Sequence, residues 1–139
     1  MAYQLPKTFI SFDYDYNHTH KLLFVGQAKN GNTPFNIADW SSKEELPQAS
    51  WERLISSKIA MCDIMIVLVG KNAARATGVI KEINMALAHN VPFFGVYVDG
   101  AHSGTALPTG LARNRVIDWA WDTISNAITQ VSKEGKNKR

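Results

Sequence analysis

Residues 63–70 read Asp63-Ile64-Met65-Ile66-Val67-Leu68-Val69-Gly70, an apolar run with no polar alternation. A strand with one wet face alternates, whereas a strand covered on both faces reads as a nearly unbroken hydrophobic stretch. Residues 92–98, Pro92-Phe93-Phe94-Gly95-Val96-Tyr97-Val98, repeat the pattern. Between the two, Val79, Ile80, Ile83, Ala86 and Leu87 recur at helical spacing and predict a helix from about Thr77 to His89 with those residues toward the core. Two doubly buried strands joined by a helix make a right-handed crossover in a parallel sheet with helices on both faces.

The same alternation continues on either side. Upstream, Thr8 to Phe12 reads as a short strand, followed by the polar turn Asp13-Tyr14-Asp15 and a helix from about Tyr16 to Ala28 that ends in the breakers Lys29-Asn30-Gly31-Asn32. Phe35 to Ala38 is a second strand. From Pro47 a helix carries Trp51, Leu54, Ile55, Ile59 and Cys62 inward, with Pro47 suited to a first turn where its missing N–H costs nothing. Downstream come a loop from Ala101 to Thr109, a last short strand at Arg115 to Asp118, and a closing helix marked by Trp121, Ile124, Ile128 and Val131. The expected fold is α/β: a flavodoxin-like three-layer sandwich around a five-stranded parallel sheet of order 2-1-3-4-5. In such a sheet ligands bind beyond the carboxyl ends of strands 1 and 3, where the winding reverses. The loops Phe12–Asp15 and Gly70–Thr77 then flank one crevice, with Asp39-Trp40-Ser41 at its rim.

Composition narrows the class. The 139 residues are 45% hydrophobic, 10% aromatic and 19% charged, as in ordinary globular protein. One domain is expected over 1–132, followed by a basic flexible tail, 133–139. The net charge of +3 resides in that tail, where Lys133, Lys136, Lys138 and Arg139 outweigh Glu134. The remainder balances to zero, which argues against a nucleic-acid partner. The longest apolar run, Ile64 to Val69, is far short of the roughly 18 residues that span a bilayer. Met1 to Pro6 has neither the basic start nor the apolar centre of a signal peptide, and Cys62 has no cysteine to pair with. The expectation is a cytoplasmic protein without a membrane partner.

At the crevice, the glycine-rich loops that cradle phosphates and the GxSxG nucleophile elbow are both absent from the sequence. His18 and His20 are two apart, which on a helix points them in different directions, so no metal site is expected. Glu82 stands out instead, a carboxylate inside Val79-Ile80-Lys81-Glu82-Ile83-Asn84-Met85-Ala86. Near the positive end of a helix dipole it can stabilise charge developing on a sugar during glycosidic cleavage, or hold ribose hydroxyls. It can equally be a solvated glutamate paired with Lys81. Trp40 can stack on a nucleobase or nicotinamide, or pack under its own loop. Asp13 and Asp15 can bind ribose, with capping of the first helix the simpler role for Asp15. Trp119 and Trp121, two apart, face opposite ways in packing roles.

Those residues also carry a resemblance. Lys7-Thr8-Phe9-Ile10-Ser11-Phe12 resembles the first strand of TIR domains. Val25 to Asn30, Pro34-Phe35 and Asp39-Trp40-Ser41-Ser42-Lys43-Glu44 are similar to the bacterial TIR-like family of the Thoeris anti-phage protein ThsB. Asp63 to Gly70, Thr77 to Ile83 and Val91 to Val96 continue it, so the resemblance covers about residues 7–131. It implies a TIR fold whose enzymatic members cleave the nicotinamide–ribose bond of NAD. Thoeris members convert the ADP-ribose part into a signalling nucleotide, commonly a cyclic ADP-ribose isomer, that activates a partner effector. NAD would be the substrate and no metal would be needed. Glu82 matches the catalytic glutamate of TIR enzymes. Phe12, Asp13, Tyr14, Asp39, Trp40, Gly70, Lys71, Thr77 and Gly78, around the crevice, are the substrate-binding candidates. Many TIR enzymes carry a tryptophan four residues before the glutamate; here that position is Gly78, which removes a packing wall. TIR enzymes also complete their site between subunits, so a homo-oligomer is expected when active. Two alternatives stand beside this: a TIR-like interaction module without catalysis, and a nucleoside deoxyribosyltransferase-like enzyme in which Glu82 attacks the sugar.

Overall fold

The structure, a computed structural model, describes residues 6–13, 19, 21–25, 36–40 (backbone only) and 47–133. In chain order, β1 is Lys7–Ser11, residues 19 and 21–25 are helical (α1), and β2 is Asn36–Trp40. There follow α2 (Gln48–Ala60), β3 (Ile64–Val69), α3 (Thr77–Ala88), β4 (Phe93–Tyr97), β5 (Val116–Ile117) and α4 (Trp121–Val131). The strands lie in the order β2-β1-β3-β4-β5 and every neighbouring pair is parallel. The fifth is a two-residue pairing, Gly95 with Val116 and Val96 with Ile117. Among the described residues no helix is long and apolar enough to cross a membrane.

Strand parity divides the core. Phe9, Met65, Val67 and Val69 face α2 and α3, packing on Ile55, Ile59, Val79, Ile83 and Ala86. Ile10, Ile64, Ile66 and Leu68 face the other way, onto Phe24 of α1 and Ile124, Ile128 and Val131 of α4. All six residues of β3 are buried, each apolar side chain contributing about 1.5–3 kcal/mol by leaving water. Trp119 and Trp121 do not face opposite ways. Trp119 precedes α4 in a turn, so both rings reach Phe24, with centroids at 5.6 and 5.1 Å.

Several boundaries differ from expectation. Asp39 and Trp40 belong to β2 rather than to the loop after it, because the ladder to β1 continues through Phe9↔Asp39 and Ile10↔Trp40. Leu54 and Leu87, expected in the core, are exposed. Leu87 sits in the last turn of α3 beside a shallow groove of about 320 Å³ that also takes in Pro92 and Arg115 at the amino ends of β4 and β5.

The segment between β4 and β5 bears on α3. Arg113 donates to the carbonyls of Ser103 and, at 2.9 Å, Thr105, closing the loop on itself. Gly110, at φ +98°, passes so close to α3 that a Cβ there would stand 2.8 Å from Ile83 Cγ2. Glycine is required twice over, by the left-handed backbone and by the contact. The residue it presses on is the immediate neighbour of Glu82.

Candidate functional site

Parity also decides what meets at the carboxyl end of the sheet. Ser11 closes β1 on the same face as Phe9, toward α3. Its hydroxyl donates a 2.7 Å hydrogen bond to Oε1 of Glu82, and both residues are buried, Glu82 being 1% exposed. The solvated alternative for this glutamate therefore does not hold. Lys81, its expected surface partner, reaches Glu52 of α2 instead, at 3.8 Å. A fully buried glutamate is rare because its charge loses hydration worth several kcal/mol. The Ser11 bond and the nearby start of α3 offset part of that cost. An aliphatic residue would fill the same space without it, which marks Glu82 as a functional candidate.

One turn before Glu82, and on the same side of α3, lies Gly78. Among the described residues its nearest neighbour beyond its own helix is Trp51, whose Cη2 stands 4.0 Å from where a Cβ would be. Trp51 occupies the first turn of α2, which begins as its amide donates to the Pro47 carbonyl. It is partly buried against the cluster under α2 and α3. Trp51, Gly78, Glu82 and Ser11 thus follow one another along the carboxyl edge of a single face.

The remaining candidates scatter. Phe12 is 2% exposed and turns to the opposite face with Ile10 and Phe24, so it does not join Glu82. There the buried ammonium of Lys21 lies 5.8 Å from its ring centroid. Asp13 is partly exposed at the end of β1. Gly70 is buried, and its carbonyl accepts from Ala73 in the turn leading to α3. Thr77 is exposed at the start of that helix. Lys71 is exposed and leans toward β4, its Cε 3.3 Å from the position of a Cβ on Gly100. Asp39 and Trp40 are placed by the β2 backbone alone. Tyr14, Asp15, His18 and His20 lie outside the described residues. Among the described residues no group of three or more His, Cys, Asp or Glu side chains is placed to hold a metal. Cys62 is buried just before β3, at the opposite end of the sheet.

Ser11 and Trp51 were not singled out in the sequence as site residues. Ser11 carried a usable signal, a hydroxyl at an inward-facing position of a buried strand. Trp51 carried none, because its inward spacing is also that of an ordinary core residue.

Comparison with known proteins agrees with this architecture. The family model described as Thoeris protein ThsB, TIR-like domain, matches residues 9–103. Among solved structures, a prokaryotic SEFIR domain is similar with a TM-score of 0.52 at 13% identity, over 92% of this chain and 90% of that one. The TIR domains of the activated Roq1 resistosome, which directly recognises the pathogen effector XopQ, give 0.51 at 16% identity over 91% and 83%. At these identities the likeness is one of fold. No curated protein matches.

Proposed function

The chain belongs to the TIR-like domain family of the Thoeris protein ThsB, and on that premise we propose that it cleaves the nicotinamide–ribose bond of NAD at Glu82. The ADP-ribose part becomes a signalling nucleotide, a cyclic ADP-ribose isomer, which reaches a downstream effector in anti-phage defence. The observation that carries this is the buried carboxylate of Glu82, held by Ser11 at the carboxyl end of β1.

In NAD the nicotinamide ring is a cationic pyridinium. When its bond to the ribose breaks, the electron pair leaves with the ring nitrogen and nicotinamide departs neutral. That departure needs no strong general acid. Positive charge appears on the ribose as an oxocarbenium ion, and a carboxylate fixed in surroundings of low dielectric stabilises it more than water does. Ser11 holds one carboxylate oxygen, so Glu82 is oriented before substrate arrives. A nucleophile of the ADP-ribose itself then bonds to the anomeric carbon and closes the ring; capture by water gives linear ADP-ribose instead, and an attacking O–H gives up its proton to solvent. Assembly of several chains would complete the site.

The 1% exposure of Glu82 favours a second reading, an interaction module in which the glutamate braces α3 against β1 and no substrate reaches it. The deciding experiment is NAD turnover by the purified protein at high concentration, wild type beside Glu82→Gln, with products resolved by chromatography and mass spectrometry. Nicotinamide release that disappears in the variant supports the enzyme. If neither purified protein nor phage-challenged cells carrying the effector yield a Glu82-dependent nucleotide, the interaction module replaces it.

A further inference from the structure

The crossovers into β3 and β4 are made by helices, α2 and α3, whereas residues 98–112, between β4 and the 3-10 turn Arg113–Arg115, contain no helix. A stretch of about 15 residues without regular structure is uncommon inside a compact domain and, when ordered, is usually functional. This one is tied down. Gly95 of β4 has no side chain and Leu111 lies on it, its Cδ2 3.0 Å from where a Cβ would stand, alongside Val69 and Val116. Arg113 closes residues 103–113 into a strap by donating to the carbonyls of Ser103 and, at 2.9 Å, Thr105. Gly110 sits within that closed span, against Ile83.

α3 is therefore held on two flanks. Glu82 turns toward Ser11 of β1, on one side of β3. Ile83, about 100° further round the helix, meets Gly110 of the strap, on the side leading from β4 to β5. Resting on the reading of Glu82 as the glycosidic centre, we propose that Arg113 is a positioning residue for Glu82. By closing the strap it keeps Gly110 against Ile83, and so keeps the carboxylate on Ser11. Arg113 is exposed and acts only through backbone carbonyls. With the strap open, Ile83 loses its backing and α3 can roll toward β5, drawing Glu82 away from β1. Close-packed interiors pass such shifts on, and misplacing a reacting group by about 1 Å can cost about a hundredfold in rate.

The test measures nicotinamide release by the full chain for wild type, Arg113→Ala, Arg113→Lys, Ser11→Ala and the Ser11→Ala/Arg113→Ala pair, below the Tm of each. It also follows the carboxyl 13C resonance of Glu82, identified by its loss in Glu82→Gln. Arg113→Ala is expected to lower kcat about tenfold with KM within about twofold, the split of a group lost from the transition state alone. Arg113→Lys, which can keep one of the two bonds, should fall about threefold, and it carries the same test should Arg113→Ala not fold. Because the strap acts through the Ser11 contact, the paired variant should be no slower than Ser11→Ala alone. The Glu82 resonance should move in Arg113→Ala and return toward wild type in Arg113→Lys. An unchanged kcat in a folded Arg113 variant, or losses that multiply in the pair, would overturn the assignment and leave Arg113 a loop-closing residue. If wild type releases no nicotinamide, the cleavage reading falls, and the resonance decides alone: movement sustains the positioning of Glu82, and a fixed resonance removes it as well.

Discussion

Replacing Ser11 by alanine removes one oxygen and so isolates the bond on which the site is built. A buried hydrogen bond to a charged group is worth about 1.5–3 kcal/mol, against about 0.5–1.5 kcal/mol between neutral partners. Ser11→Ala should therefore cost about 2 kcal/mol in the wild-type chain but only about 1 kcal/mol beside Glu82→Gln, whose amide oxygen is uncharged. The coupling is the difference, about 1 kcal/mol. With 139 residues at about 2.1 cal/mol/K each, the unfolding entropy near 60 °C is about 0.29 kcal/mol/K, so the single substitution lowers Tm by about 7 °C. Urea unfolding of the four proteins of the cycle at neutral pH measures the coupling directly, and nicotinamide release should fall on the order of tenfold with the carboxylate left unoriented. Effects that simply add, with a coupling under about 0.3 kcal/mol, would refute the claim that this hydroxyl supports the charge of Glu82.

The glycines on either side of the site should respond in opposite directions. Gly110→Ala forces a Cβ to 2.8 Å from Ile83 Cγ2 at φ +98° and should lose about 2–4 kcal/mol in urea unfolding; an unchanged midpoint would mean that the segment does not press on α3. Gly78→Ala places its methyl in helical backbone where, among the described residues, only Trp51 comes to van der Waals range, and should gain about 0.4–1 kcal/mol. A lower Tm in that variant would mean that there is no room for a methyl beside Trp51.

The parts of the fold that could be read from sequence are those with one-dimensional signals. Ile64–Val69 and Phe93–Tyr97 announce themselves because a strand buried on both faces has no polar partner to alternate with. Glu82 is conspicuous because it breaks an apolar helix face. Phe12 is expected in a loop flanking the crevice, although parity already assigns it, with Ile10, to the face opposite Ser11. Leu87 keeps the period of α3, but the period does not say where the sheet ends, and the last turn overhangs the groove by Pro92. Asp39 and Trp40 look like a loop until β1 supplies ladder partners for them. The contacts of Ser11 with Glu82 and of Trp51 with Gly78 join different elements, and no local pattern encodes them.

β1 is synthesised before the other strands of its sheet and is also the one that completes the site. β1 lies between β2 and β3, so it has neither neighbour when it leaves the ribosome, and Ser11 precedes Glu82 by 71 residues. At about 5–20 residues per second, translation takes about 4–14 s to supply the carboxylate that Ser11 will hold. β3 is made only shortly before that, so Phe9 and Ile10 wait nearly as long for their ladder partners Met65 and Ile66, and a newly formed α3 presents Glu82 to solvent as an ordinary ionised side chain. The burial of that one carboxylate accordingly dates the docking of β1. Its environment reports, chain by chain, whether the first strand has reached its place in the middle of the sheet.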